Sequence, residues 1–190
     1  MLGMKRSTRP TAIATLVMVV MALAFPFSAL AAGPEAPLML LGSFEGAGLV
    51  RGPNGISMTL KASGLNPGSA VSVWWVVDND PTDGIFADGI CSAAGHIVGD
   101  DGTLNAGSHL AKHEPSESLC TAMELSPPAM PLMLEGPALT NPGGAIVYLI
   151  LIDHGQKLTG QDLVAQLNFP DQGCNPGCAE VGMAIFAPMP

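Results

Sequence analysis

Past its first 31 residues this 190-residue chain has only four basic side chains, Arg51, Lys61, Lys112 and Lys157, against sixteen acidic ones. The resulting net charge of −12 repels phosphate backbones and anionic lipid surfaces, which argues against nucleic acid as a partner. Aromatic residues are few, with a single Tyr and two Trp. Heptad-like apolar patterns, the mark of long helices, are missing, as is any internal repeat. Beyond Leu30 no apolar run is long enough to span a bilayer. Also missing are a Gly-x-Ser-x-Gly elbow, a His-Glu-x-x-His helix and a phosphate-cradling Gly-Lys-Ser/Thr loop. No residue is therefore assigned a catalytic or cofactor-binding role, and whether the chain is an enzyme stays open, with a non-enzyme favoured.

What is present begins with Lys5, Arg6 and Arg9, followed by an apolar run from Thr11 to Leu30 that ends on Ala29-Leu30-Ala31. A basic start, an apolar core and small residues at its end form the layout of a secretory signal peptide, with cleavage expected after Ala31. An uncleaved anchor is the competing reading, and Pro26 with the small-residue ending opposes it. Residues 32–190 are then one exported domain, periplasmic or extracellular, with no membrane span after cleavage.

Many Gly and Pro residues break this domain into short apolar runs, which points to an all-β protein. Ile56 to Ala62 alternates apolar and polar residues, as a strand with one wet face does. Gly64 to Gly68 turns the chain into a second strand, Ala70 to Val77, in which Trp74 and Trp75 must point to opposite faces. One Trp anchors the core, and the other is either covered by a loop or exposed as a contact surface. His96 to Val98, the turn Gly99-Asp100-Asp101-Gly102 and Thr103 to Leu110 read as a β-hairpin. A long, proline-bearing irregular segment follows from Ala111 to Asn141. Ala145 to Ile152 is almost uninterrupted apolar sequence and reads as a central strand buried on both faces. Gln161 to Asn168 is a short helical turn or a strand, and Val181 to Ile185 alternates as a last strand. With Leu38 to Phe44 as the first, about seven strands result, the expectation for an immunoglobulin-like β-sandwich with one long loop.

Four cysteines, Cys91, Cys120, Cys174 and Cys178, fall in the exported part, where thiols become oxidised. Three connectivities are open, and Cys91–Cys120 with Cys174–Cys178 is favoured because each pair brackets a turn-rich stretch. The Cys-x-x-x-Cys spacing is not that of a thioredoxin motif, so structural disulfides are expected.

Gly64-Leu65-Asn66-Pro67-Gly68 leading into Ser69 to Trp75 resembles the turn and strand found in fibronectin type III and related sandwiches. More of the chain is similar to a group of small exported bacterial proteins of unassigned function. The matching pieces are Gly64 to Val76, the Gly-His-x-Val-Gly-x-Asp-Gly stretch from Gly95 to Gly102, Asn141 to Ala145, His154-Gly155, and Cys174 with Cys178. That resemblance implies a sandwich and export, and implies no activity.

Three constellations carry candidate chemistry. Asp78, Asp80 and Asp83, with Asp88 nearby, offer the oxygen ligands a calcium ion takes, although Asp83 stands where an EF-hand loop needs Gly. A solvated turn is the simpler explanation. His109 and His113, near Met123, Met130 and Met133, make a copper-like or zinc-like set, but His-x-x-x-His shares one ion only on a helix, and Gly107 and Pro115 break helices on both sides. His154, following the apolar strand and beside Asp153, is the favoured single residue if a site exists at a sheet end. The overall expectation is a non-enzymatic binding or surface-interaction module for a protein or glycan partner; the alternative is an exported metal-binding protein.

Overall fold

The computed structural model describes residues 33–84, 86–113 and 139–190. The expected signal segment, Cys120, Met123, Met130, Met133 and most of the proline-bearing segment lie outside these residues. The chain divides into two units, Met1–Ala31 and Ala32–Pro190, and the strands and helix of the fold all belong to the second.

Eight strands and one helix make up this unit: β1 (Met39–Gly42), β2 (Phe44–Gly52), β3 (Gly55–Ala62), β4 (Ser69–Asp78), β5 (Gly89–Ile97), β6 (Leu104–Ala111), β7 (Ile146–Gln156), α1 (Gly160–Asn168) and β8 (Ala179–Phe186). They form two antiparallel sheets, one ordered β1-β8-β7-β4-β5 and the other β2-β3-β6. This is an all-β sandwich. Its core is filled from both inner faces, by Leu49, Ile56, Met58, Leu60, Leu104 and Leu110 on one sheet and by Val73, Trp75, Val77, Val147, Leu149 and Phe186 on the other.

The alternation that marked β3 and β4 holds, because a two-residue period places one set of side chains in the core; β8 alternates too, but its buried set is Gly182, Ala184 and Phe186, while Val181, Met183 and Ile185 are only half-buried. β7 is central as expected, third of five strands. Only its inner face is fully buried, though: Val147, Leu149 and Leu151 have no exposed surface, while Ile146, Tyr148, Ile150 and Ile152 are half-buried. β4 is the strand covered on both sides, buried at all ten positions. The 161–168 stretch is helical. Helix α1 packs against β4 and β5 on the outer face of the five-stranded sheet, where Gly95 leaves room for Leu167.

Two local readings are corrected. The expected first strand is two strands, because Gly42 takes a positive φ of 67° and the chain changes sheets there, β1 pairing with β8 and β2 with β3. A residue with a Cβ would clash at Gly42 with the Val181 carbonyl. The Gly99-Asp100-Asp101-Gly102 turn is formed, with Gly102 at φ 66° and Thr103 bonded to the Asp101 carboxylate. It does not close a hairpin. β5 pairs with β4 and β6 with β3, so the turn carries the chain from one sheet to the other. An Asp-Gly turn supplies the reversal but does not dictate that its flanking strands pair with each other.

Candidate functional site

At one end of the five-stranded sheet, β7 closes on His154 and Gly155. Gly155 has a φ of 78°, and the Asn175 carbonyl lies where a Cβ would stand, so glycine is required for residues 172–178 to dock there. The docking is made by the backbone: Asn175 N–H donates to the His154 carbonyl at 2.7 Å and Gln156 N–H to the Asn175 carbonyl at 3.1 Å. Cys174 and Cys178 are joined by a disulfide within this segment, as expected, with Cα atoms 4.9 Å apart. Cys91 is also disulfide-bonded. Its expected partner, Cys120, lies outside the described residues.

His154 is fully buried beneath the disulfide loop. Its Nε2 lies 2.7 Å from Ser72 Oγ, and its Nδ1 lies 3.0 Å from the Gln172 carbonyl and 3.2 Å from Cys178 Sγ. Trp74 Nε1 lies 2.7 Å from the same Ser72 oxygen. Donor and acceptor chemistry fixes the direction of this chain. An indole nitrogen can only donate and a carbonyl can only accept, so Trp74 donates to Ser72, Ser72 donates to Nε2 and Nδ1–H donates to Gln172. Burial pushes the His154 pKa down, opposed by the Gln172 carbonyl, Asp153 and Asp171, which keeps the ring neutral at pH 7. Ser72 and Trp74 are buried as well, with 0 % and 3 % exposure. The Ser72–His154 pair thus has the spacing of a nucleophile and its base, but the hydroxyl has no exposed surface among the described residues.

His154, Cys174 and Cys178 hold their ligand atoms within 4.8 Å of one another, the one group of three or more metal-ligating side chains so placed among the described residues. This group could hold a metal ion, though its two sulfurs are bonded to each other here. Sequence reading singled out all three residues without linking them. The signals available were Ser72, the one hydroxyl within the apolar run Ala70 to Val77, and His154, the first imidazole after the apolar run of β7. What the sequence could not supply was the docking of residues 172–178 on Gly155.

The other candidates sit elsewhere. Both tryptophans are buried: Trp75 in the core with no exposed surface and Trp74 on the outer face, so neither is an exposed contact surface. The Asp78 loop is held by its own side chains. Asp80 accepts from the Thr82 N–H and hydroxyl, Asp88 accepts from the Asn79 N–H, and the Asn79 side-chain oxygen accepts from the Thr140 and Asn141 N–H groups. Asp78 is 6 % exposed, its Oδ1 has no partner among the described residues, and burial, then Asp88 and Asp83, raise its pKa above 3.8. Hydrogen bonds from Thr82 lower that of Asp80. His109 lies exposed on strand β6, its Nδ1 2.9 Å from Ser57 Oγ, and the His113 N–H pairs with the Leu139 carbonyl. No helix brings these two imidazoles to one ion.

Comparison with known proteins finds no matching family model, no similar curated protein and no similar solved structure.

One further face stands out. Across the outer side of the five-stranded sheet, cross-strand pairing aligns two rows: Ile90-Val76-Tyr148-Ile185-Met39, and Ser92-Trp74-Ile150-Met183-Leu41. Nine of these ten residues are apolar or aromatic, and the surface opens toward the β1 edge, where Met39 and Leu41 are about half exposed and Leu38 is 75 % exposed. Phe86, 68 % exposed, lies with its ring 5.1 Å from that of Tyr148, the middle residue of the first row.

Proposed function

We propose that the protein is an exported, non-enzymatic binding module built on an immunoglobulin-like sandwich, and that its binding face is the outer side of the five-stranded sheet. The observation that carries this reading is the doubled apolar row ending in half-exposed Met39 and Leu41, with exposed Leu38 beside that edge and exposed Phe86 against Tyr148. Contiguous apolar surface on a soluble domain marks a contact site more often than scattered single residues do. A disulfide and the lack of any membrane-crossing helix among the described residues agree with export into an oxidising compartment. The partner is a protein segment rather than a glycan, since the face is mainly aliphatic and both tryptophans are buried. The end near Phe86 is bordered by Asp78, Asp80, Asp83 and Asp88, so the complementary ligand is an apolar stretch flanked by Lys or Arg.

The test is binding of the oxidised domain to arrayed peptides with apolar centres flanked by either basic or acidic residues. Binding to the basic set, lost in Leu41→Glu/Met183→Glu, supports the proposal. Binding to neither set, or binding indifferent to that double substitution, refutes it.

A second reading, calcium held by the Asp78, Asp80 and Asp83 loop, is favoured by one observation, the unpaired buried oxygen of Asp78. Equilibrium dialysis against calcium decides it: an ion retained by the native chain and lost in Asp78→Asn supports the site, and none retained excludes it.

A further inference from the structure

We propose that His154, Cys174 and Cys178 form a redox-gated site for a thiophilic cation, zinc(II) or copper(I), closed by the disulfide and opened when a dithiol reductant cleaves it. This stands independently of the apolar binding face. Three observations carry it. The three ligand atoms already lie within 4.8 Å of one another, so opening the sulfur–sulfur bond leaves two thiols and an imidazole converging on one point. Two thiolates and one imidazole are a ligand set that zinc and copper(I) prefer, with a fourth position left for solvent or another ligand. Neither cysteine is buried, which gives reductant and ion an approach, whereas the imidazole beneath them is fixed in place.

The ring is also supported from behind. A metal-bound imidazole donates its other N–H to a fixed acceptor. Ser72 Oγ lies 2.7 Å from Nε2 and is itself held by Trp74, so it can take that role. Binding at Nδ1 replaces the hydrogen bond to Gln172 and moves the ring proton to Nε2. The Ser72–His154 bond then reverses direction, the hydroxyl hydrogen turns away, and Trp74 senses the change.

The steps balance. A dithiol passes two electrons and two protons to the Cys174–Cys178 bond and becomes a disulfide, leaving two thiols. Zinc(II) then displaces the two thiol protons and coordinates both sulfurs and the neutral ring, for a net release of two protons. Copper(I) binds the same atoms without any change in its oxidation state.

The test uses the purified exported chain, oxidised or reduced with a phosphine that is removed by anaerobic desalting before the metal is added. Zinc and copper(I) uptake is measured by elemental analysis after desalting and by competition with chromophoric chelators. The reduced chain is expected to retain one equivalent and the oxidised chain none, with a change in Trp emission on loading. Cys174→Ser/Cys178→Ser keeps Cys91 and is expected to retain none after the same reduction. Ser72→Ala is expected to weaken binding by about tenfold or more while leaving stoichiometry intact. Equal retention by the oxidised chain, by the double-serine variant, or none by a reduced chain that keeps its near-ultraviolet dichroism overturns the proposal. Zinc retained without copper(I), or the reverse, assigns the ion.

Discussion

Arg51 ties together four separated parts of the chain. Its side chain is 1 % exposed and bonds to the Glu35 carboxylate at 2.9 Å and to the carbonyls of Pro142, Ala145 and Ala187 at 2.8 to 2.9 Å. Only a guanidinium presents enough donors in a fixed fork to meet four acceptors at once. Arg51→Ala leaves these acceptors unpaired and is expected to cost about 3 kcal/mol in urea unfolding, with Arg51→Lys recovering the smaller part. A cost no larger than that of an exposed substitution would show that the latch does not hold the fold. Nothing in the sequence marked Arg51, because its four partners lie between 16 and 136 residues away. Asp78 makes the opposite case, a charge that burial disfavours. Its folded pKa is raised above 3.8, so above that value the native state binds more protons than the unfolded chain and stability falls as pH rises through the folded value. The penalty is absent well below 3.8 and complete once the pH has passed the folded value. Asp78→Asn is therefore expected to raise the thermal midpoint at about pH 7 and leave it unchanged near about pH 3. If calcium occupies that loop, the same substitution lowers the midpoint in calcium buffer instead.

At the scale of elements, legibility followed periodicity. β3, β4 and β8 were readable because each alternates in a period of two, and β7 because an eight-residue apolar run is too short for an isolated helix. Strand partners were not readable, since the Asp-Gly turn and Gly42 each redirect the chain between sheets and only long-range pairing records where it goes. The candidate site failed to show for the same reason: His154, Cys174 and Cys178 were each noted, but what joins them is the docking of a loop on Gly155. Close approach also governs α1. Gly95 stands opposite Ser72 on the outer face, and an added Cβ would lie 2.6 Å from the Leu167 carbonyl and 2.7 Å from its Cβ. Gly95→Ala must lift the C-terminal turn of α1, at a cost of about 1 to 3 kcal/mol typical of overpacking. Hydrogen exchange should locate the loosening, with faster exchange in α1 and no change in β3. Uniformly faster exchange in both would mean that Gly95 matters to the whole sandwich rather than to helix docking.

Over the whole molecule, burial and charge are unevenly divided between the two faces of one sheet. The inner face is sealed by the second sheet, while the outer face is covered by α1 only over β4 and β5, leaving apolar side chains of β7, β8 and β1 partly open. Folding does not require that surface: Leu41 is 49 % exposed at the sheet edge, so Leu41→Glu is expected to change stability by no more than about 0.5 kcal/mol. On the proposed reading, a domain carrying a charge of −12 beside such a face would repel copies of itself and attract a basic-flanked ligand, so that the apolar rows would set how long the complex lasts and the acidic border how fast it forms. The two contributions separate kinetically. Raising salt from about 0.05 to 0.5 M shortens the screening length several-fold and should slow association of a bound basic-flanked peptide while leaving its dissociation rate nearly unchanged. Leu41→Glu/Met183→Glu should do the reverse, accelerating dissociation at every salt concentration. Stopped-flow measurement of both rates checks this division, and a salt effect confined to dissociation would mean that the charges lie inside the contact rather than around it.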